Sequence, residues 1–254
     1  MSGEAMLQGK IAIVTGAGQG VGRGIALALA KAGATVALLG RTLSKVEATA
    51  AECGNGSRGF HVDIKDGEKI QTAVAEVIAA FGGVDILVNN AQEVPLGTLM
   101  SVTDEAFLAG FESGPVATMR MMKACQPSMV ARGGGVIINL TSSATVRWDM
   151  AGYGTYAAVK KAIQSLTRAA ASEWGPNGIR VLNIAPHADS PGLKAWIAAR
   201  PAEAEAFFST IPLRRIGSCE NDIGEAVAAL CGPSFAYLTG ATIPLDGGQA
   251  NFDG

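Results

Sequence analysis

"KIAIVTGAGQGVGRGIALALA", residues 10–30, is the stretch that decides the fold. Its opening, "KIAIV" (10–14), is a short β-rich apolar run, and the Ala-rich stretch from about 21 to 32 has helical length. Between them, "TGAGQGVG" (15–22) carries glycines at 16, 18, 20 and 22, with another at 24. Glycine accepts positive φ and lets another group come close to the backbone. A helix opening straight after such a turn offers free N–H groups and the positive end of its dipole to a pyrophosphate. A glycine-rich run alone is weak evidence. Placed between the first strand and first helix of a βαβ unit, it is a dinucleotide fingerprint. Thr15, Gly16, Gly18, Gln19, Gly20, Val21 and Gly22 are therefore candidate cofactor-binding residues.

Outward from this unit the same alternation continues. Further β-rich runs occur at 35–39, 59–62, 85–88, 135–140, 180–184 and 242–245. Helical stretches are expected at about 43–52, 66–81, 103–131, 155–174 and 221–231. The pattern predicts an α/β fold: a Rossmann-like, doubly wound parallel sheet of about seven strands with helices on both faces. Several runs are apolar at successive positions, as strands covered on both faces are. No linker, repeat or charge block divides residues 1–254, so one domain is expected. The segment 189–217 stands outside the alternation and carries Trp196, Phe207 and Phe208; it reads as one or two short helices forming a substrate lid.

Composition narrows the function. Hydrophobic residues make up 48% and charged residues 17%, which suits a large buried core. The net charge of −2 is spread over interleaved residues, with no basic stripe for nucleic acid. The N-terminal residues lack a secretory apolar run and no segment is long enough to span a bilayer, so a cytoplasmic protein is expected. Cys53, Cys125, Cys219 and Cys231 show neither CxxC pairing nor metal-ligand spacing and read as free thiols; no metal is expected.

The end of the second strand meets the adenine-side ribose in such folds, where an acidic residue suits NAD and an arginine suits a 2′-phosphate. Here Gly40 stands where the acid would be, followed by Arg41, which favours NADP while leaving NAD possible. In "VDI" (62–64), Asp63 and Ile64 are placed to meet the adenine.

"GYGTYAAVKKA" (152–162) holds two tyrosines and two lysines. Residues four apart share a helix face, so Tyr156 and Lys160 are neighbours, whereas Tyr153 has Ala157 at that offset. An ammonium beside Tyr156 favours its phenolate and should lower its pKa, making the phenol usable as acid and base. Lys161 faces elsewhere and reads as a solvated side chain.

Taken together, TGxxxGxG (Thr15, Gly16, Gly20, Gly22), NNA (Asn89, Asn90, Ala91), a serine in "NLTSS", YxxxK (Tyr156, Lys160) and "LDGG" (245–248) resemble the classical short-chain dehydrogenase/reductase family over nearly the whole chain. The resemblance implies an NAD(P)-dependent oxidoreductase acting on a secondary alcohol or ketone. It implies catalysis by Ser142, Tyr156 and Lys160, with Ser143 an alternative to Ser142. It also implies cofactor contacts from Asn90, Ala91, Gln92, Tyr156, Lys160, Pro186 and His187, and assembly into a homotetramer or homodimer.

Three positions depart from the family pattern. Gln92 replaces the glycine of NNAG. Gly114, or Ser113 on a slipped alignment, stands where the family has an asparagine supporting a water relay. His187 replaces the glycine after Pro186, either as an acid/base or as a ring resting on a neighbour, while His61 reads as structural. These departures keep open a cofactor-binding sensor or partner subunit with little catalysis. An enoyl reductase is the third option, although that branch spaces its tyrosine and lysine more widely. Trp148, Met150, Tyr153, Trp196, Phe207 and Phe208 could line a pocket for a bulky apolar ketone or pack a core; Arg147 reads as a surface residue.

Overall fold

The computed structural model describes residues 5–147, 151–250 and 252. Seven strands form one parallel sheet: β1 (Ile11–Thr15), β2 (Thr35–Gly40), β3 (Arg58–His61), β4 (Ile86–Asn89), β5 (Gly135–Leu140), β6 (Ile179–Pro186) and β7 (Thr242–Leu245). Their order is β3-β2-β1-β4-β5-β6-β7. The connecting helices are α1 (Gly20–Lys31), α2 (Leu43–Cys53), α3 (Gly67–Phe81), α4 (Asp104–Phe111), α5 (Ala117–Ala131), α6 (Gly154–Trp174), α7 (Pro191–Ala199), α8 (Pro201–Ser209) and α9 (Glu225–Cys231). The strand order reverses between β1 and β4, and the crevice beyond their carboxyl ends is where such sheets bind ligands.

Alternate side chains of β1 enter two separate cores. Ala12 and Val14 pack with Ile25 and Leu29 of α1 and Val227 of α9. Ile11 and Ile13 pack with Val74 and Val77 of α3 and Met121 and Met129 of α5. Both faces are buried, which is why the strand reads as an unbroken apolar run.

Two helices expected from the sequence are shorter. The stretch 103–131 divides into α4 and α5 around a wide turn at Glu112–Val116. Pro115 has no N–H to give and its ring opposes the carbonyl of Phe111, so the chain bends at Gly114 (φ −92°, ψ −105°). A second wide turn, Cys219–Gly224, precedes α9 and lies on α1. A Cβ on Gly24 would come within 2.3 Å of the Cys219 backbone, so that glycine serves helix packing and not ligand approach. Segment 189–217 does form two short helices, α7 and α8, with Ser190 Oγ accepting from the Leu193 N–H at 3.3 Å.

A buried polar chain ties α6 to the sheet. Asn89, Asn139, Asn183 and Thr242 stand in register on four adjacent strands. Asn89 donates to Asn139 at 2.8 Å, Asn139 donates to Thr167 of α6 at 2.8 Å, and Thr167 donates to Asn183 at 2.8 Å. Among the described residues no helix is long and apolar enough to cross a membrane.

Candidate active site

A cleft of about 520 Å³ opens beyond β1 and β4 at the reversal point. Its floor is the turn from Gly16 to Val21, where Gly16 (φ +66°) and Gly20 (φ +56°) take backbone conformations that side chains disfavour. No side chain caps α1 and its first turn carries no carboxylate, so the helix start offers N–H groups and positive potential to the cleft. Gly16, Gly18, Gln19, Gly20, Val21, Arg41, Asp63, Ile64, Asn90, Ala91 and Gln92 all line it. This cradle fits a dinucleotide.

Thr15 and Gly22 are not lining residues; they brace the walls. Thr15 Oγ1 accepts from the N–H groups of Asn90 (3.0 Å) and Ala91 (3.1 Å). The Asn90 amide donates back to the Thr15 carbonyl at 2.9 Å, so its side chain is committed to the loop. A Cβ on Gly22 would sit 2.4 Å from both Asn90 Nδ2 and the Gly16 carbonyl.

At the β2 end, Arg41 bonds Glu93 at 3.2 Å, Lys65 meets the same carboxylate at 3.1 Å, and Lys45 donates to Gln19 at 3.0 Å. Lys45, Lys65 and Glu93 escaped the sequence reading because strands remote in the chain bring them together. Ser190, Pro191 and Gly192, at the start of α7, close the opposite side.

Ser142, Tyr156 and Lys160 come together at the carboxyl end of β5, the next strand along from β4. The Tyr156 phenol shares a hydrogen bond with Ser142; Ser143 is buried in the short turn that follows. Lys160 Nζ lies 5.6 Å from the centre of the Tyr156 ring and donates to the Leu140 carbonyl at 2.7 Å. Burial pushes the Tyr156 phenol up to about 12, opposed by the Ser142 hydrogen bond, and burial pushes the Lys160 amine down to about 7. This corrects the expectation that the Lys160 ammonium lowers the phenol. An amine half-protonated near neutrality and pointed at a carbonyl does not offset the desolvation of the phenolate.

His187 rests edge-on against Phe207 of α8, ring centres 5.3 Å apart. Burial lowers its imidazole, with Asp246 opposing and Arg147 adding to the shift. The residue lines a second hollow of about 600 Å³ together with Leu213, Arg215, Pro244 and Asp246, while Pro186 lines neither. Phe207 also meets Trp196 at 5.8 Å and Phe208 at 6.3 Å, and the Arg147 guanidinium lies 5.9 Å from its ring centre. Tyr153 packs edge-on against Tyr156 at 6.2 Å. Trp148 and Met150 lie outside the described residues.

Residues 16–250 match the family model described as enoyl-(acyl carrier protein) reductase. The chain is 36% identical to the 12alpha-hydroxysteroid dehydrogenase of Clostridium sp. (strain ATCC 29733 / VPI C48-50), covering 96% of this chain and 98% of that protein. It is also 36% identical to the L-xylulose reductase of Bos taurus, covering 95% and 97% respectively. This chain belongs to the short-chain dehydrogenase/reductase family. A crystal structure from Sinorhizobium meliloti 1021, described as a short-chain alcohol dehydrogenase, superposes with a TM-score of 0.90 at 33% identity, covering 97% of this chain and 98% of that one. As a short-chain dehydrogenase/reductase, the protein is an NAD(P)-dependent oxidoreductase acting on CH–OH groups. The relatives are named for dehydrogenase and reductase activities, which gives no support to a non-catalytic sensor.

Proposed function

We propose that this short-chain dehydrogenase/reductase interconverts a bulky apolar secondary alcohol and its ketone, with NADP as the preferred cofactor and Ser142, Tyr156 and Lys160 as the catalytic residues. The observation that carries this reading is the phenol of Tyr156, held by Ser142 with the Lys160 amine beside it, one strand along from the dinucleotide cleft. The cofactor supplies or accepts hydride when bound. Ser142 orients the substrate oxygen and Tyr156 gives or takes its proton. Lys160 adds positive charge near the phenol when protonated, and an oxidised nicotinamide ring adds more.

The NADP preference is supported by packing. A Cβ at Gly40 would lie 2.9 Å from Val46 Cγ1, so the acidic residue that selects NAD would have to displace Val46 to stand there. Arg41 and Lys45 instead present cations to that end of the cleft. The half-buried group of Trp196, Phe207 and Phe208, with Tyr153 beside Tyr156, supports an apolar substrate under a lid formed by segment 189–217. Tyr156 and Lys160 lie four apart, the spacing that favours carbonyl over enoyl reduction. We further place the protein in the cytoplasm as a single-domain chain assembling into a homotetramer. Exposed Leu99, Met100 and Leu108 on and before α4 supply apolar surface for the assembly; α6 adds no large exposed apolar side chain among the described residues.

Purified protein assayed for NADPH and NADH oxidation with cyclohexanone, acetophenone and 2-decalone tests the reading. Turnover should be highest with NADPH and 2-decalone, and Arg41→Ala should weaken NADPH binding about tenfold more than NADH binding. Cofactor binding without turnover on any ketone would refute it.

A further inference from the structure

One face of α6 is polar where it meets the sheet. Tyr156, Lys160, Gln164 and Thr167 recur at intervals of four, four and three, so they stack along a single stripe. Lys160, Gln164 and Thr167 are buried, at a contact that a helix normally makes with apolar side chains. Lys160 reaches the Leu140 carbonyl, and Thr167 ties α6 to Asn139 and Asn183. Gln164 belongs to neither the polar chain across the sheet nor the catalytic group.

Its carboxamide spans the turn that carries Ser142. Nε2 donates to Thr141 Oγ1 at 3.0 Å and to Thr145 Oγ1 at 3.2 Å, on either side of Ser142. Two amide protons meet two hydroxyls, which sets the direction of the remaining bonds. Thr145 Oγ1 gives its own proton to the Ser142 carbonyl at 2.8 Å, and Thr141 Oγ1 gives its proton to the Lys160 carbonyl at 3.4 Å. The Thr141 end is anchored to β6, because its N–H donates to the Ile184 carbonyl at 2.8 Å. Thr145 lies past the strand, and its N–H turns back to the Ser142 carbonyl at 3.2 Å. The amide pins the loose end of the turn to the fixed one.

Stability alone does not require this arrangement. Each threonine hydroxyl already has a carbonyl for its single proton, so an apolar side chain at 164 would strand no donor. Burying a carboxamide is also less favourable than burying a methionine of similar reach.

We propose that Gln164 is a positioning residue that locks the turn at Thr141–Thr145 and so aims the Ser142 hydroxyl at Tyr156 and the substrate oxygen. This rests on the catalytic reading above. Ser142 Oγ accepts from the Ala144 N–H at 3.2 Å, so the hydroxyl follows the turn wherever the turn goes. A misplacement of ~1 Å at a reacting group lowers the rate on the order of 100-fold, and a loosened turn loses part of that.

The test compares wild type with Gln164→Met, Thr145→Val, Thr145→Ser, Ser142→Ala and the double variant Ser142→Ala/Gln164→Met. Readouts are kcat with 2-decalone and NADPH, the NADPH Kd by nicotinamide fluorescence, and Tm. Gln164→Met should lower kcat about tenfold, with Kd within about twofold and Tm within about 8 °C of wild type. Thr145→Val should behave alike, whereas Thr145→Ser, which keeps the hydroxyl, should hold kcat within about threefold of wild type. With Ser142 gone, Gln164 has nothing left to aim, so the double variant should stay within about twofold of Ser142→Ala in kcat. A further tenfold loss in the double variant, wild-type kcat in Gln164→Met, a matching loss in Kd, or a larger fall in Tm would overturn the proposal. If Ser142→Ala is slow while Gln164→Met is unaffected, this inference alone fails. Wild-type turnover by Ser142→Ala removes the catalytic reading of that serine and this inference with it.

Discussion

Replacing Lys160 with methionine should remove a pH dependence from the stability of the fold. The side chain is 4% exposed, and burial brings its amine from 10.5 down to about 7. Between those values the unfolded chain holds a proton that the folded chain has given up, so stability rises with pH across this window. The gain is complete above 10.5, and the whole cost of burying an ammonium is felt below 7. From pH 7 to 9 the difference averages most of one proton, and at ~1.4 kcal/mol per proton per pH unit this amounts to about 2 kcal/mol. Lys160→Met keeps the unbranched side chain and loses the charge. Urea unfolding midpoints and m-values for both proteins at pH 7, 8 and 9 give the comparison. Cys125 and Cys231 are pushed up to about 12 by burial and erode stability as pH climbs past the ordinary thiol value, but they do so equally in both proteins. The difference between the two curves therefore isolates Lys160. Parallel curves would show that the amine does not titrate near neutrality in the fold, and the proton chemistry assigned to it would lose its basis.

Two other substitutions probe the framework of the site. Gly22→Ala places a methyl 2.4 Å from Asn90 Nδ2 and the Gly16 carbonyl, so it should weaken NADPH binding more than about tenfold and cost ~1–3 kcal/mol of stability, read by fluorescence titration and by urea melts. Asn139→Leu breaks the polar chain between β4 and α6, leaving Asn89 without its acceptor; thermal unfolding should show a loss of ~2–5 kcal/mol, with kcat falling as α6 loses its register.

Much of this arrangement was legible in the chain because it depends on local rules. The strands stand out because each is buried on both faces, as the two cores flanking β1 show. The turn at 15–22 is a local backbone requirement and its neighbours along the chain reveal it. Other features depend on where distant segments meet. Helix spacing puts Tyr156 and Lys160 on one face, but it cannot say that Nζ turns to Leu140 or that burial outweighs the charge. The choice between Ser142 and Ser143 rests on the backbone at the end of β5, which sends one hydroxyl to Tyr156 and buries the next residue. One asparagine in each of three strands is no signal until the register aligns them. The break at Glu112–Val116 was within reach, since Pro115 disfavours the continuous helix that the apolar pattern around it implies.

The decisive measurement is the rate of NADPH-dependent reduction of 2-decalone by Tyr156→Phe, with the NADPH Kd determined on the same sample. Loss of the phenolic proton should lower kcat at least ~100-fold while Kd stays within about twofold of wild type. Turnover at the wild-type rate would contradict the role given to Tyr156.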